Sequence, residues 1–175
     1  MNFYQYLDKE YVGKIDIEKI ELAKDILKVA IKNNIPIYII GNGGSAFTAS
    51  HFAQDFVKIC NADSQSLSDN IGLVMAIAND ISYDEVFKFQ LKKKNHEFIL
   101  ICISCSGNSK NVLNAAQYAK NIEMPVISFT GGNGGELSKI TDLEINVPSE
   151  NLFVSEPAHS MIMHYLVHML EDYGF

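Results

Sequence analysis

Four short apolar runs, separated by longer amphipathic segments, constrain the fold of this chain more than any other feature. Each run is continuous and has the length of a strand, whereas the segments between them repeat apolar residues at helical spacing. Continuous apolar strands are typical of a parallel sheet covered on both faces, and parallel strands need helical connections. The strand-like runs are residues 35–40, 97–103, 124–129 and 143–147.

The segments that precede, separate and follow these runs carry helical patterning. A last helix is expected to begin at Pro157, because proline suits the first helical position. Its apolar stripe is wider than a one-sided helix needs, which fits either an oligomer interface or burial within the chain. The pattern predicts one doubly wound α/β domain over residues 1–175. The other helical segments are residues 16–33, 45–60, 84–94 and 109–121.

Charge and composition exclude several classes of function. The net charge of -7 argues against a nucleic-acid-binding surface, which normally shows a basic patch. No apolar stretch approaches the ~20 residues that span a bilayer, and the first ten residues lack a signal pattern. We therefore expect a cytoplasmic protein that contacts neither membrane nor nucleic acid. The odd number of cysteines, three, is typical of reduced thiols.

The loops that follow the strands predict where a ligand binds, because doubly wound sheets bind ligands beyond the carboxyl ends of their strands. The first loop, Gly41 to Ser45, is glycine-rich and opens a helix. The second, Ser104 to Ser109, offers three hydroxyls before another helix, which suits a phosphate monoester. The third loop is the glycine-rich stretch from Thr130 to Gly135. Ordinary turns with ordinary helix caps are the alternative for each loop.

A dinucleotide site is a rival interpretation of the first loop. Gly41, Gly43 and Ala46 satisfy the pattern G-x-G-x-x-A, and Asp63 follows at about the distance that a ribose-binding carboxylate requires. This interpretation gives no role to the serine loop or to the histidine and carboxylate that follow.

Those two residues are His51 and Asp55, which lie four positions apart and so share one side of a helix. Such a pair is also common on ordinary helix surfaces. Two helices that each bring a histidine and a carboxylate could form a metal site of two imidazoles and two carboxylates. The last helix supplies Glu156, His159, His164 and His168 as candidates.

Taken together, these motifs resemble those of the phosphoheptose isomerases, within the sugar isomerase (SIS) domain superfamily. The matching stretches are GNGGSA with HFA, AIAND, ISCSGNS, TGGNGGEL and a histidine-bearing last helix. The resemblance implies a flavodoxin-like three-layer sandwich and a homotetramer with active sites between subunits. It also implies a bound zinc and the conversion of sedoheptulose 7-phosphate to D-glycero-D-manno-heptose 7-phosphate.

Carried over to this chain, the resemblance assigns roles to individual residues. Asp55 and His164 would be catalytic, with His51, Asp55, Glu156 and His164 at the metal positions. Three positions depart from the family, which has glutamate at Asp55, glutamine at Glu156 and threonine at Cys105. The substrate-binding residues would be Asn42, Gly43, Gly44, Asn79, Asp80, Ser104, Cys105, Ser106, Ser109 and Glu156.

Two functions from different classes follow. The first is an aldose–ketose isomerase working through an enediol, in which a carboxylate and a histidine move protons beside a divalent metal. The second is a non-catalytic SIS module that binds a phosphosugar or a protein partner, since AIAND and the segment after it also resemble relatives that associate with the bacterial replication initiator. Asp55 and His164, which those relatives lack, favour the enzyme.

Overall fold

The computed structural model describes residues 5, 6, 9, 13–94 and 96–171. Most of the N-terminal segment and the last four residues, all part of the predicted domain 1–175, lie outside the described residues, and the one-domain assignment stays a prediction. The strands are β1 (Ile37–Gly41), β2 (Ser64–Ser66), β3 (Ile99–Ser104), β4 (Val126–Gly131) and β5 (Leu143–Val147). The helices are α1 (Ile17–Lys32), α2 (Gly44–Lys58), α3 (Ile71–Asp80), α4 (Val86–Leu91), α5 (Lys110–Asn121) and α6 (Leu152–Leu170).

The described strands form one parallel sheet in the order β2-β1-β3-β4-β5. This is the flavodoxin-like order, in which the chain winds away from β1 in both directions and leaves a crevice between the carboxyl ends of β1 and β3. The prediction of a doubly wound α/β fold is therefore confirmed. The glycine loop follows β1 and the serine loop follows β3, so the fold brings both loops to that crevice.

Alternating side chains of the central strands pack into two separate hydrophobic cores, one on each face of the sheet. Ile39 and Ile101 belong to a core shared with α1, α2 and α6, whereas Ile40 and Cys102 belong to a core shared with α3, α4 and α5. All residues of β1, β3 and β4 are buried, which explains why these strands read as continuous apolar runs.

The last helix begins earlier than the sequence predicts. The side chain of Asn151 accepts a hydrogen bond from the backbone N–H of Phe153 and caps α6, so Pro157 lies inside the helix. A proline has no N–H to donate to the carbonyl four residues before it. The hydroxyl of Tyr6 donates to that carbonyl, of Phe153, at 3.2 Å and supplies the missing bond. The prediction that the helix starts at Pro157 is wrong for this reason.

Strand β2 and helix α3 are absent from the sequence prediction. Strand β2 has three residues at the edge of the sheet and lacks an apolar run. Helix α3 has one buried residue, Ile77, and carries a nearly continuous apolar stretch, so its hydrophobic pattern does not mark a helix. Residues predicted as a helix over 84–94 form a 3₁₀ turn, Tyr83–Glu85, followed by the short α4.

No helix among the described residues is both long and apolar enough to cross a membrane.

Candidate active site

A cavity of about 210 Å³ lies at the crevice between β1 and β3. Its walls come from the glycine loop, the serine loop and the first turns of α6. Six of the predicted substrate-binding residues line it, together with Ser45, which the sequence prediction missed. The six are Asn42, Ser104, Cys105, Ser106, Ser109 and Glu156.

Two helices begin at this cavity without a side-chain cap. The residues that precede α2 and α5 are Gly43, which has no side chain, and Ser109, whose hydroxyl accepts no bond from the first turn of its helix. By contrast, Asp16, Asn70 and Asn151 cap α1, α3 and α6. The first N–H groups of an uncapped helix favour an anion, and the helix dipole adds to the attraction.

The glycine loop places Glu156 at the wall of the cavity. Gly43 has φ +53°, a conformation that favours glycine. A Cβ at Gly44 would lie 2.6 Å from a carboxylate oxygen of Glu156, so the missing side chain leaves room for that carboxylate. Glu156 therefore adds a negative group to a cavity whose other polar lining is neutral.

Cys105 has a buried hydrogen-bond partner, His159. The His159 Nε2 lies 2.9 Å from the carbonyl oxygen of Thr130, which only accepts, so Nε2 carries the hydrogen. Burial lowers the pKa of His159 to about 4, and burial, together with the charge of Glu156, raises the pKa of the Cys105 thiol to about 11. At neutral pH the thiol therefore donates to the His159 Nδ1, 3.8 Å away. The thiol of Cys105 therefore has no hydrogen to donate to a ligand in the cavity and can present only a sulfur lone pair to it.

A second group of chemical interest lies where α2 packs against α6. His51, Asp55 and His164 each direct one potential ligand atom into a space where these atoms are within 4.8 Å of one another. The His51 Nε2 is 3.3 Å from the Asp55 carboxylate, and the two imidazole centres are 5.1 Å apart. Asp55 is buried and both histidines are exposed.

This group suits a divalent metal by the chemistry of its donors. The His164 Nδ1 lies 2.9 Å from the Ser160 carbonyl, which fixes the hydrogen on Nδ1 and leaves Nε2 with a lone pair. Two imidazoles and a carboxylate are the ligand set of many zinc sites that keep an open position. The three residues fit the metal that the sequence predicts.

Glu156 does not belong to this group within one chain. It is eight residues before His164 on α6, and eight residues of helix rise by ~12 Å. Among the described residues, one chain brings together three of the four predicted metal ligands.

Asn79, Asp80 and His168 lie outside both the cavity lining and the histidine cluster, whereas His159 lies behind the cavity wall. Asn79 and Asp80 are exposed at the end of α3, where the amide of Asn79 donates to the carboxylate of Asp80 at 2.8 Å. His159 is buried beside Cys105, and His168 pairs with Glu171 near the end of the described chain.

The dinucleotide interpretation is wrong on topological grounds. Asp63 precedes β2 and its carbonyl accepts a bond from Ile37, the first residue of β1. It therefore lies at the amino edge of the parallel sheet, whereas the glycine loop lies at the carboxyl edge. A ribose-binding carboxylate would have to follow β2.

Comparisons with known proteins identify the family of this chain. The family model described as "SIS domain" matches residues 9–131. A phosphoheptose isomerase of Helicobacter pylori is 36% identical over 88% of this chain and 83% of its own length. The chain belongs to the phosphoheptose isomerase family. The prediction of an isomerase of this family is thereby confirmed.

Two further members show how completely the family resemblance covers the chain. A probable phosphoheptose isomerase of Thermoplasma acidophilum is 34% identical over 98% of this chain and 99% of its own length. The solved phosphoheptose isomerase structure from Neisseria gonorrhoeae superposes with a TM-score of 0.85, at 29% identity, over 97% of this chain and 91% of that one.

Proposed function

We propose that this phosphoheptose isomerase family member converts sedoheptulose 7-phosphate to D-glycero-D-manno-heptose 7-phosphate through an enediol. The observation that carries the proposal is the cavity at which two uncapped helices begin. It meets the requirements of a phosphate monoester, and the cluster of His51, Asp55 and His164 supplies groups that move protons.

The phosphate is held by neutral donors. Ser104, Ser106 and Ser109 line the cavity with their hydroxyls, and α2 and α5 begin beside it without a bond from the capping residue's side chain. Cys105 contributes no donor, because its hydrogen goes to His159. Glu156 opposes a bound phosphate by charge and suits a sugar hydroxyl, which can donate to its carboxylate.

Proton transfer is assigned to Asp55 and His164. Asp55 takes the proton from C1 of the ketose and returns it to C2, and His164 moves the proton between the two oxygens. Its Nδ1–H is held by Ser160, so Nε2 is the atom available for this exchange. A divalent metal such as zinc, held by His51, Asp55 and His164 before the reaction, would polarise the sugar oxygens and make the carbon-bound proton more acidic. The His164 Nε2 has one lone pair, so this atom would leave the metal while it carries the proton.

The distance between the two sites supports active sites that are shared between subunits. Ser45 and Asp55 are ten residues apart on α2, or ~15 Å along the helix. A homotetramer in which the cluster of one copy faces the cavity of another would bring them together, and would let Glu156 of one copy approach the metal of another.

Exposed apolar side chains support the same assembly. Phe47 on α2 is 80% exposed and Phe153 on α6 is 83% exposed. On the last helix, Ile162 and Leu166 of the apolar stripe pack within the chain, whereas Met161 stays half exposed. Exposed apolar residues grouped on two helices are typical of an interface. In the assembly we propose, Asn79 and Asp80 contact the sugar from the edge of the cavity.

Isomerisation in deuterium oxide, followed by NMR, tests this function. We expect sedoheptulose 7-phosphate to be converted to the aldose in a metal-dependent reaction, with deuterium entering at C2. His164→Gln should lower both the zinc content and the turnover, whereas the control His168→Gln, on the same helix, should leave both unchanged. Binding of the sugar phosphate without any conversion would contradict the enzyme and favour a non-catalytic SIS module.

A further inference from the structure

A network of hydrogen bonds fixes the side chain of Asn42 at the wall of the cavity. Asn111, on the first turn of α5, is 2% exposed and lies directly behind Asn42. The two amides exchange a pair of bonds, each of 2.8 Å, from the Nδ2 of one to the Oδ1 of the other. The hydroxyl of Tyr83 donates a third bond of 2.8 Å to the Asn42 Oδ1.

The orientation of both amides follows from one backbone group. The N–H of Val112 lies 2.9 Å from one terminal atom of Asn111, and a backbone N–H only donates, so that atom is oxygen. The other terminal atom of Asn111 is then nitrogen and needs an acceptor, which must be the Asn42 oxygen. The chain of donors from Val112 through Asn111 therefore determines which way the amide of Asn42 faces.

A count of donors and acceptors shows which hydrogen-bonding group of the Asn42 amide is still available to a ligand. Its oxygen accepts from Asn111 and Tyr83, which occupies both lone pairs. Its nitrogen has two hydrogens, and Asn111 accepts one of them. The other N–H has no partner among the described residues, and Asn42 lines the cavity. An unsupported asparagine could rotate and present its oxygen, which would repel a phosphate or carbonyl oxygen.

We propose that Asn111 and Tyr83 are positioning residues that make Asn42 a single N–H donor toward the cavity. The substrate atom that Asn42 meets is then an oxygen that accepts, on the phosphate or the sugar carbonyl, and not the hydrogen of a hydroxyl. This inference rests on the proposed function, because it assigns a partner to Asn42 within the same substrate site.

A double-mutant cycle tests the positioning role. Asn111→Ala should raise KM for the sugar phosphate ~10-fold to ~100-fold, the range for a lost hydrogen bond to a charged group. Tyr83→Phe should raise KM less. In an Asn42→Ala background, Asn111→Ala should leave KM unchanged, since Asn111 acts through Asn42. An equal rise in KM in that background, or no rise in the wild type, would overturn the proposal.

A matched control separates positioning from a general loss of stability. Gln90 is also a buried amide, and its Nε2 donates to the carbonyls of Leu67 and Val86, outside the cavity lining. Gln90→Ala should destabilise the protein while leaving KM unchanged. A rise in KM for Gln90→Ala as large as that for Asn111→Ala would count against a specific role for Asn111.

A measurement that needs no turnover keeps the inference distinct from the proposed function. In ¹⁵N–¹H spectra, the Asn42 amide, assigned by its loss in Asn42→Asp, should show one slowly exchanging proton that becomes fast in Asn111→Ala. Inorganic phosphate should shift the other proton. Fast exchange of both protons in the wild type would overturn the positioning. Absence of isomerisation with a protected Asn42 amide would overturn the proposed function alone.

Discussion

The cavity at the serine loop and the histidine cluster on α2 and α6 are built in different ways. In the cavity wall Ser45 and Ser104 are buried and Cys105 is half-buried, and hydrogen bonds within the chain hold the side chains of Asn42 and Cys105. The cluster places His51 and His164 on exposed helix surfaces, with Asp55 buried beneath them. The cavity wall is thus formed by described residues of one chain, whereas the cluster is open to whatever packs against the two helices.

Two of the three histidines of α6 illustrate the same difference within one helix. His159 is fully buried and neutral, with its hydrogen on Nε2, and serves the cavity through Cys105. His164 follows five residues later, is exposed, and carries its hydrogen on Nδ1. Five residues turn a helix by about 500°, so the two side chains point about 140° apart. His159 therefore faces β4 of the sheet and His164 faces α2. The protonation and exposure of each histidine therefore follow from the groups packed around it, and the residue type alone does not predict them.

The largest effect is expected at the cluster, from Asp55→Asn. Removing a general base lowers kcat ~10²-fold to ~10⁴-fold. Binding of the sugar phosphate, measured by calorimetry, should persist because the cavity is intact. Asp63→Asn is the control, since that exposed carboxylate lies at the opposite edge of the sheet. Normal turnover in Asp55→Asn would remove the cluster from the mechanism.

Mixing two inactive variants asks whether the cavity and the cluster act within one chain. Asp55→Asn lacks the base, and a Ser106→Ala, Ser109→Ala double variant lacks two hydroxyls of the cavity. If the proposed homotetramer forms, co-expression should restore activity to about a quarter of the sites, because each proposed site takes one half from each of two copies. A mixture as inactive as its parents would show that both halves belong to one chain.

Gly107→Ala should damage the cavity loop and the fold together. Gly107 has φ +61°, and a Cβ there would overlap the Gly134 carbonyl oxygen and lie 2.6 Å from its carbon. Strain and overpacking should lower the free energy of unfolding by ~2–5 kcal/mol, measured in urea. Gly72→Ala is the control, since the nearest atom to a Cβ there is 3.8 Å away. Similar stabilities for both variants would contradict the predicted overlap.

The pH dependence of stability should report the buried His159. Its unfolded form takes up a proton near the ordinary pKa of 6.5, and the folded form does so only near 4. The unfolded state therefore binds more protons between these values, and stability falls as the pH drops from 6.5 to 4 by about 3 kcal/mol. His159→Gln should remove that part of the pH dependence, and His168→Gln should not. Parallel curves for wild type and His159→Gln would contradict the assignment.

The smallest effect is expected from Glu156→Gln, which introduces the glutamine that the family resemblance implies at this position. Removing a negative group from the cavity wall should tighten binding of inorganic phosphate ~5-fold, since two unit charges ~4 Å apart in water repel by about 1 kcal/mol. Glu136→Gln, on an exposed turn outside the cavity lining, is the control. Weaker binding in Glu156→Gln would show that its carboxylate supports the anion indirectly.

Local patterns in the sequence determine the central strands, most of the helices and the place of the cavity. Continuous apolar runs mark β1, β3 and β4 because both faces of these strands are buried. The loops after β1 and β3 are predictable as ligand loops because parallel strands end at the same edge of the sheet. His51 and Asp55 are predictable neighbours because four residues complete about one helical turn. Strand β2 and helix α3 lack such a signal, since one is short and polar and the other is apolar nearly throughout.

Only the tertiary structure decides which side chains from distant segments meet. It joins His164 to His51 and Asp55, leaves Glu156 at the cavity, and places Asn111 and Tyr83 behind Asn42. It also starts α6 at Leu152, since the Tyr6 hydroxyl satisfies the carbonyl that Pro157 leaves without a donor. Periodicity reports which face of an element is buried, because burial repeats along one segment. The partner of a side chain depends on how two segments pack against each other, and the hydrophobic pattern of one segment does not predict that packing.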